Sequence, residues 1–557
     1  MPHALFSRGL SPYQIVLAAS ASESERWAAE ELRRALKEIG GMELPVVDDT
    51  TERRDREIVL GWNRRAAQLL PEEPSPDPQD ESFAYRSIGP SLVIWGGAER
   101  GTLYGVFSFL ERELGCRFYT PSVTVRPKRE AYEFDNLEHR ESPGISVRNV
   151  FYFEAFDPVW AARNRVNGAM FHREQIGGVE GYWGVHTFER FVPPEEFFES
   201  HPEYFPVIEG KRSAHRAQLC LTNPDVLRIV GERLLERMRA EPEYLIYDVS
   251  QNDHRAGTCE CEECARIARA EGGESGLYIG FVNQVAERVE AEFPDKYVGT
   301  LAYHFTLDPP KTVRPRANVV VRLCSHDCCF SHPFDSCPRN EKFMGYLRGW
   351  SAISPHLYIW DYVVDFDHYV MPYPNFKALQ RNIRILRDHK VIGIMEQGAY
   401  SSRGGDFAEL KMNLLAKLLW NPDADAERII SDFMYGYYGH AGEHIRAYFD
   451  LVQGLAGPDT HIHIRVQPTD SMYSDSFIRE GERLLDLAEE AVDGEEFLHR
   501  VELARLPLLY LRHMRDPQKG KQDGTLARIR EIARRERVTH FEEFPRRRLA
   551  DFYRDLD

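Results

Sequence analysis

The chain has 557 residues, 70 of them basic and 88 acidic, for a formal net charge of -18. A single hydrophobic core stops growing at about 250–300 residues, so two or three domains are expected. The composition, 43% hydrophobic and 28% charged, excludes a disordered or fibrous chain, and the acidity argues against nucleic acid or an anionic membrane as main partner. A neutral ligand fits better.

The N-terminal stretch lacks the basic flank, apolar run and small-residue cleavage site of a secretion signal. No window reaches the roughly 18 uninterrupted apolar residues of a membrane span. Nine cysteines, an odd number, fit a reducing cytosol better than a disulfide framework. A cytoplasmic location is expected, or a secreted one if a leader precedes this sequence.

Residues 1–140 alternate strand and helix signals, as in a small α/β domain. "YQIVLA", "REIVLGW" and "SLVIWGG" read as strands. "SESERWAAEELRRALKEIGG" reads as a helix that starts at a capping box, Ser22 to Glu25, buries Trp27, Leu32, Leu36 and Ile39, and stops at Gly40 and Gly41. "ERGTLYGVFSFLERELGC" is a second amphipathic helix. No phosphate-binding glycine loop is present, so this domain reads as a scaffold or docking unit rather than as the seat of chemistry.

From 141 to 405 eight short apolar strands are expected: 145–153, 167–171, 217–221, 244–250, 297–303, 318–324, 357–362 and 391–397. Several are apolar on both faces, as buried parallel strands are. Helices separate them, which describes a (β/α)8 TIM barrel. Residues 406–557 carry apolar positions at helical spacing and read as a helical domain, closed by a mixed-charge tail taken as a solvated helical face.

In such a barrel the active site forms at the C-terminal ends of the strands. Strand four ends at Asn252 and Asp253, strand five at Tyr303 and His304, and strand six at His326 and Asp327. Strand seven ends at Trp360 and Asp361, strand eight at Glu396 and Gln397, and Trp183 and His186 precede the expected strand three. Aromatic rings stack on sugar faces, and paired carboxyls handle protonation and oxocarbenium-like charge, so the rim points to carbohydrate chemistry. Asp253, Asn252 and Glu396 are the catalytic candidates. His186, Trp183, Tyr303, His304, Asp327, Trp360, Asp361 and Gln397 are the substrate-binding ones. If the sugar carries a 2-acetamido group, Asn252 and Asp253 divide between them the orientation of that amide and the protonation of the leaving oxygen. The alternative is an α-glucuronidase-like enzyme, with Arg322, Arg403 or Arg173 as the cation for a uronate, or a binding barrel without chemistry.

"CECEEC" and "CSHDCCFSHPFDSC" bring soft ligands onto the loops after strands four and six. Cys259, Cys261, Cys264 and Cys328 are candidates for a structural zinc, with free thiols or disulfides as the alternatives. No cofactor is expected for catalysis.

The blocks "HPEYFPV", "QLCLTNPDV", "VSQNDH", "VVVRLCSHDCCFSHPF", "YIWDYVVDF" and "GIMEQG" together resemble domain of unknown function 4838, a group similar to glycoside hydrolase family 163. "GTLYGVFSFLERELGCRFYTP" resembles the domain that precedes the barrel in family 20 β-hexosaminidases and family 67 α-glucuronidases. The resemblance implies a retaining β-N-acetylglucosaminidase, endo-acting on N-glycan-type oligosaccharides, with Asn252 and Asp253 at the catalytic position of strand four. Related enzymes often hold Asp-Glu there, which leaves open whether Asp253 or Glu396 is the acid.

Overall fold

The computed structural model describes residues 2–170 and 174–544. Phe171, Arg173 and the tail from residue 545 onward therefore lie outside the described residues.

The first domain is a six-stranded sheet in the order Glu138–Glu141, Phe83–Ile88, Ser91–Gly96, Glu57–Leu60, Gln14–Leu17, Val46–Asp48. Its four-strand parallel part carries the helix Glu23–Gly40, whose reciprocal Ser22–Glu25 capping box forms as expected and whose last turn is closed by Gly41 at φ 79°. Leu32, Leu36 and Ile39 of that helix are buried against the sheet. The antiparallel strand Phe83–Ile88 was not legible, because it is half-buried and carries Arg86 and Ser87 among its apolar residues.

The second unit is a parallel barrel. Its strands are β1 (Val147–Phe151), β2 (Gly168–Ala169), β3 (Glu180–Trp183), β4 (Ile246–Asp248), β5 (Tyr297–Ala302), β6 (Val319–Cys324), β7 (His356–Tyr362) and β8 (Val391–Gln397). They pair in the order β1-β8-β7-β6-β5-β4-β3-β2, all parallel. Between β1 and β2 the ring is held by a side chain: Asn167 Oδ1 accepts the Arg148 N–H at 2.8 Å. One expected strand is corrected. Residues 217–221 form no strand, and the third position is taken by β3, which carries Trp183 and lies in the segment expected to precede strand three. The apolar run "AQLCL" is buried because it lies under the rim, with the Cys220 N–H donating to Tyr204 O rather than to a neighbouring strand.

The barrel interior is filled by Val147, Phe151, Met170, Tyr182, Ile246, Val320, Tyr358 and Met395. At its centre Arg322 is fully buried, its guanidinium carbon 4.3 Å from the Tyr182 ring centre, 4.5 Å from Trp360 and 4.8 Å from Tyr358. A cation enclosed by three aromatic faces keeps electrostatic partners where water is excluded.

The helical unit runs from Ala408–Trp420 through Glu495–Arg515 to Thr525–Glu536. The end of the chain departs from the expected solvated helix. Leu526, Ile529 and Ile532 are buried, and the helix stops at Arg537, whose φ is 57°. Beyond it the chain crosses the strand ends as an irregular strap. The Tyr369 N–H donates to Phe541 O at 2.8 Å and the Glu543 N–H donates to Phe366 O at 2.9 Å. Among the described residues no helix is long and apolar enough to cross a membrane.

Tyr182 enters the barrel only because β5 offers Gly299 opposite it. A Cβ there would lie 2.2 Å from the Tyr182 hydroxyl. Overpacking of this kind costs about 1–3 kcal/mol, so Gly299→Ala is expected to lower the unfolding free energy by that amount and to shift the urea midpoint downward, and an unchanged midpoint would show that the ring can move aside.

Candidate active site

Alternate residues of each barrel strand face the interior, and at the C-terminal ends the inward set opens into a cavity of about 320 Å³. Its wall includes His186, Asp253, Tyr303, His326, Trp360, Tyr362, Gln397 and Tyr400 from the rim, together with Arg465 and Glu543 from the helical unit. A larger hollow of about 480 Å³ lies between the first domain and helix Ala426–Tyr438, away from the strand ends. Ion pairs occupy it, Arg165 and Lys417 with Glu111 and Arg117 with Asp432, so it reads as a seam between domains.

Asp253 is the acidic rim candidate that reaches the cavity. Its side chain is 64% exposed, lies 4.0 Å from His186 Nε2, and accepts the Tyr303 hydroxyl at 3.2 Å. His186 stands at φ 53° after β3, and its Nδ1–H donates to Gln251 O at 2.7 Å. That bond fixes the tautomer and turns Nε2 toward Asp253. Burial, reinforced by the Asp253 charge, pushes the Tyr303 phenol up, so it remains a donor.

Asn252 points the other way. Its Oδ1 accepts the Glu189 N–H at 3.1 Å and its Nδ2 donates to Ala217 O at 2.8 Å, which spends the amide on holding the loop. Glu396 and Asp361 are likewise placed outside the cavity wall. Each sits on the outward face of its strand, between inward neighbours: Met395 and Gln397 in one case, Trp360 and Tyr362 in the other. Asp361 Oδ1 accepts the Ser325 hydroxyl and the Tyr362 N–H. Burial holds its carboxyl up at about 6. Glu396 is fully buried, and burial, together with Asp361, holds its carboxyl well above the carboxylate range.

The remaining expected residues divide in the same way. Trp360 and Gln397 line the cavity and bond each other, the indole N–H donating to Gln397 Oε1 at 2.6 Å. Trp183 faces outward, packing near Phe191 and Tyr247. His304 sits behind His326 with ring centres 5.4 Å apart, and burial lowers it to about 4. Asp327 is set back from the wall and orients His326 by accepting its Nδ1–H at 3.0 Å. Of the proposed uronate cations, Arg322 lies under the floor, Arg403 is paired with Glu536 at 2.8 Å and Glu154 at 3.3 Å, and Arg173 is outside the described residues.

Two charged residues of the cavity escaped sequence reasoning. Glu543, on the strap, accepts Gln397 Nε2 at 3.1 Å and the Tyr400 hydroxyl at 3.2 Å, both at Oε1. Burial raises its carboxyl, with the Tyr400 bond and Arg465 opposing and Asp253 adding to the rise. Arg465 reaches the cavity from the helical unit while its Nη1 holds Asp367 at 2.8 Å. The one signal for Glu543 was the aromatic bracket "FEEF" in a charged tail.

The zinc expectation is corrected in one ligand. Cys259, Cys261 and Cys264 gather with Cys220, not Cys328, their sulfurs all within 4.8 Å of one another. Cys220 Sγ lies 3.8 Å from Cys261 Sγ and 4.0 Å from Cys264 Sγ. A tetrahedron with Zn–S bonds of about 2.3 Å sets sulfurs about 3.8 Å apart, so the four residues fit such an ion. Cys328 belongs to the loop after β6, where it packs by Asp361.

Residues 118–450 match the family model described as "Domain of unknown function (DUF4838)", and residues 9–109 match "Glycosyl hydrolase family 67 N-terminus". Alpha-glucuronidase A of Emericella nidulans is 28% identical over 154 residues, 27% of this chain. The match spans 18% of that relative's length. Among solved structures, a family GH115 4-O-methyl-α-glucuronidase with specificity for decorated arabinogalactans is 12% identical with a TM-score of 0.61, covering 100% of this chain and 79% of that one. A Streptomyces plicatus β-hexosaminidase is 12% identical with a TM-score of 0.43, covering 82% and 92%. At these identities the GH115 likeness is one of fold.

The outward placement of Glu396 has a thermodynamic consequence. A carboxyl raised on folding contributes stability that is present below its unfolded value near 4.5 and is lost as pH climbs through the folded one. Glutamine does not titrate, so the stability of Glu396→Gln relative to wild type should increase from pH 5 to pH 8 in thermal melts. A constant difference would place this carboxyl in water.

Proposed function

The chain belongs to the DUF4838 family, and from that premise we propose that it is a glycoside hydrolase acting on uronic-acid-bearing oligosaccharides, with Glu543 as general acid and Asp253 as the second carboxyl. The observation that carries this reading is the cavity at the strand ends, where two carboxyls in unlike surroundings share a wall of aromatic rings. Glycosidic cleavage asks one carboxylic acid to protonate the leaving oxygen and a second carboxylate to meet the anomeric carbon or to activate water.

Burial favours the protonated form of Glu543, while Asp253 is open to solvent and accepts the Tyr303 hydroxyl. Trp360, Tyr362 and Tyr400 offer faces for a sugar ring. Arg465 offers a guanidinium to the uronate carboxylate. The names of the Emericella nidulans relative and of the GH115 structure support the same substrate class.

The Asp253–Tyr303 hydrogen bond supports a second reading, the retaining endo-β-N-acetylglucosaminidase that the resemblance to family 163 implied. There Asp253 accepts the acetamido N–H and Tyr303 donates to its carbonyl oxygen, which attacks the anomeric carbon as Glu543 protonates the leaving group. That arrangement differs from the Asn252–Asp253 pair read in the sequence. The acetamido-orienting role moves to Asp253, since the Asn252 amide is engaged elsewhere.

We also read Cys220, Cys259, Cys261 and Cys264 as a structural zinc site beneath the loop that carries Asp253. The odd number of cysteines, nine, supports a reducing compartment.

Oligosaccharides substituted with 4-O-methylglucuronic acid and aryl N-acetyl-β-glucosaminides separate the two readings. Glu543→Gln and Asp253→Asn should each lower kcat/KM by about 10²–10⁴-fold. The Glu543 variant should recover on substrates with an acidic leaving group. Wild-type kcat should decline as pH rises through the raised Glu543 value, and Arg465→Ala should raise KM for uronides alone. Turnover of the glucosaminide without the uronide favours the second reading, and no turnover of any glycoside ends both.

A further inference from the structure

We propose that Cys329, His332, Cys337 and His461 form a second metal site, a Cys2His2 tetrahedron filled by zinc, which staples residues 457–465 of the helical unit to the loop after β6. The four ligand atoms lie within 4.8 Å of one another although His461 is 124 residues from Cys337 in the chain. Cys329 Sγ stands 3.5 Å from His332 Nδ1 and 3.4 Å from His461 Nδ1, and Cys337 Sγ stands 3.5 Å from the same His461 nitrogen. Zn–S bonds of about 2.3 Å and Zn–N bonds of about 2.0–2.1 Å in a tetrahedron place sulfur and nitrogen about 3.6 Å apart. The spacing is therefore that of ligands around a common ion.

The outer contacts prepare these side chains for it. His332 Nε2–H donates to Gly457 O at 3.1 Å, which leaves Nδ1 as the lone pair aimed at the sulfurs. The Cys329 N–H donates to Asn340 Oδ1 at 2.7 Å, and Asn340 Nδ2 donates back to Cys329 O at 3.0 Å, fixing the backbone that carries the first thiol. Ser331 Oγ donates to Thr460 O at 2.6 Å, tying the two segments beside the ligands. Two thiolates and two neutral imidazoles balance the charge of Zn²⁺, and this donor set with tetrahedral spacing favours zinc over the hard cations.

The staple has a target. The Phe330 N–H donates to Ile462 O at 3.0 Å and the Phe366 N–H donates to Ile464 O at 2.8 Å, so the segment runs along the rim from His461 to Arg465 at the cavity. Without the ion, a short run of loop hydrogen bonds and the ion pair with Asp367 hold that arginine in place. The site does not depend on which sugar the cavity takes.

The test is zinc per chain, by mass spectrometry of protein purified without chelator, in wild type, His461→Ala, His461→Cys and Cys261→Ser, each with circular dichroism as a folding check. His461→Ala should hold one zinc fewer than wild type, His461→Cys should restore it, and Cys261→Ser should leave this ion bound. Amide exchange over 457–465 should rise in His461→Ala. Equal zinc in wild type and His461→Ala overturns the proposal, as does a Cys329–Cys337 disulfide in an unreduced peptide map. Should His461→Ala fail to fold, the zinc absorption edge of wild type decides: nitrogen donors in the shell uphold the site, and a shell of sulfur alone refutes it.

Discussion

A strand in a closed barrel has one face toward the interior and one toward the surrounding helices, and the chain has no freedom to exchange them without turning every residue of the strand over. In this protein that alternation decides what the rim does. Trp360 and Tyr362 open into the cavity and Asp361 between them does not; Gln397 opens into it and Glu396 does not. The acids that point outward are buried beside each other, where burial raises both carboxyls and neither side chain reaches the cavity. The cavity is left with aromatic and amide side chains from β7 and β8, and its acids come from a loop and from the end of the chain.

That division explains the role of the helical unit. A barrel whose inward rim lacks a second acid must obtain one from elsewhere, and the strap beyond Arg537 brings Glu543 over the strand ends. Phe541 packs on Tyr510 with ring centres 5.6 Å apart, anchoring the strap in the helical core two residues before the carboxyl. Gln397 then holds the acid from β8 and Tyr400 from the loop that follows it. Removal of water from around the carboxyl and its two hydrogen bonds act in opposite directions on its proton, and burial is the larger.

Much of the architecture could be read from residues alone because its signals are local. A capping box, a glycine stop and runs of β-branched residues each depend on a few neighbours, and seven of the eight barrel strands were placed by them. The third strand failed because "EGYW" is short and polar at its start, whereas "AQLCL" is apolar for a tertiary reason, burial beneath the rim. Strand ends named Asp253, Tyr303, Trp360 and Gln397, all in the cavity wall. The parity of Glu396 was in principle legible, since Met395 and Gln397 share the opposite face, but only once the inward residue of one strand is known. Glu543, Arg465 and the partner of the three clustered cysteines depend on contacts over tens to hundreds of residues, which no local pattern encodes.

Loops make this site, and loops carry few ladder hydrogen bonds, so their geometry has to be fixed from outside the sheet. On one side of the mouth, β4 has three residues, and the loop it feeds is held by the Asn252 amide and underlain by the four cysteines around Cys220. On the other side the loop after β6 meets the segment leading to Arg465 at a cluster of two cysteines and two histidines. Each cluster joins segments remote in sequence at a point where the backbone carries no regular pairing. Thiol and imidazole groups are weak cross-links as hydrogen-bonding partners and strong ones as metal ligands, because coordination contributes folding free energy that the loop cannot supply from its own contacts. The concentration of cysteine and histidine beneath the rim thus follows from the same constraint as the placement of the acids: groups that do not belong to the barrel strands must be tied to them before they can act together.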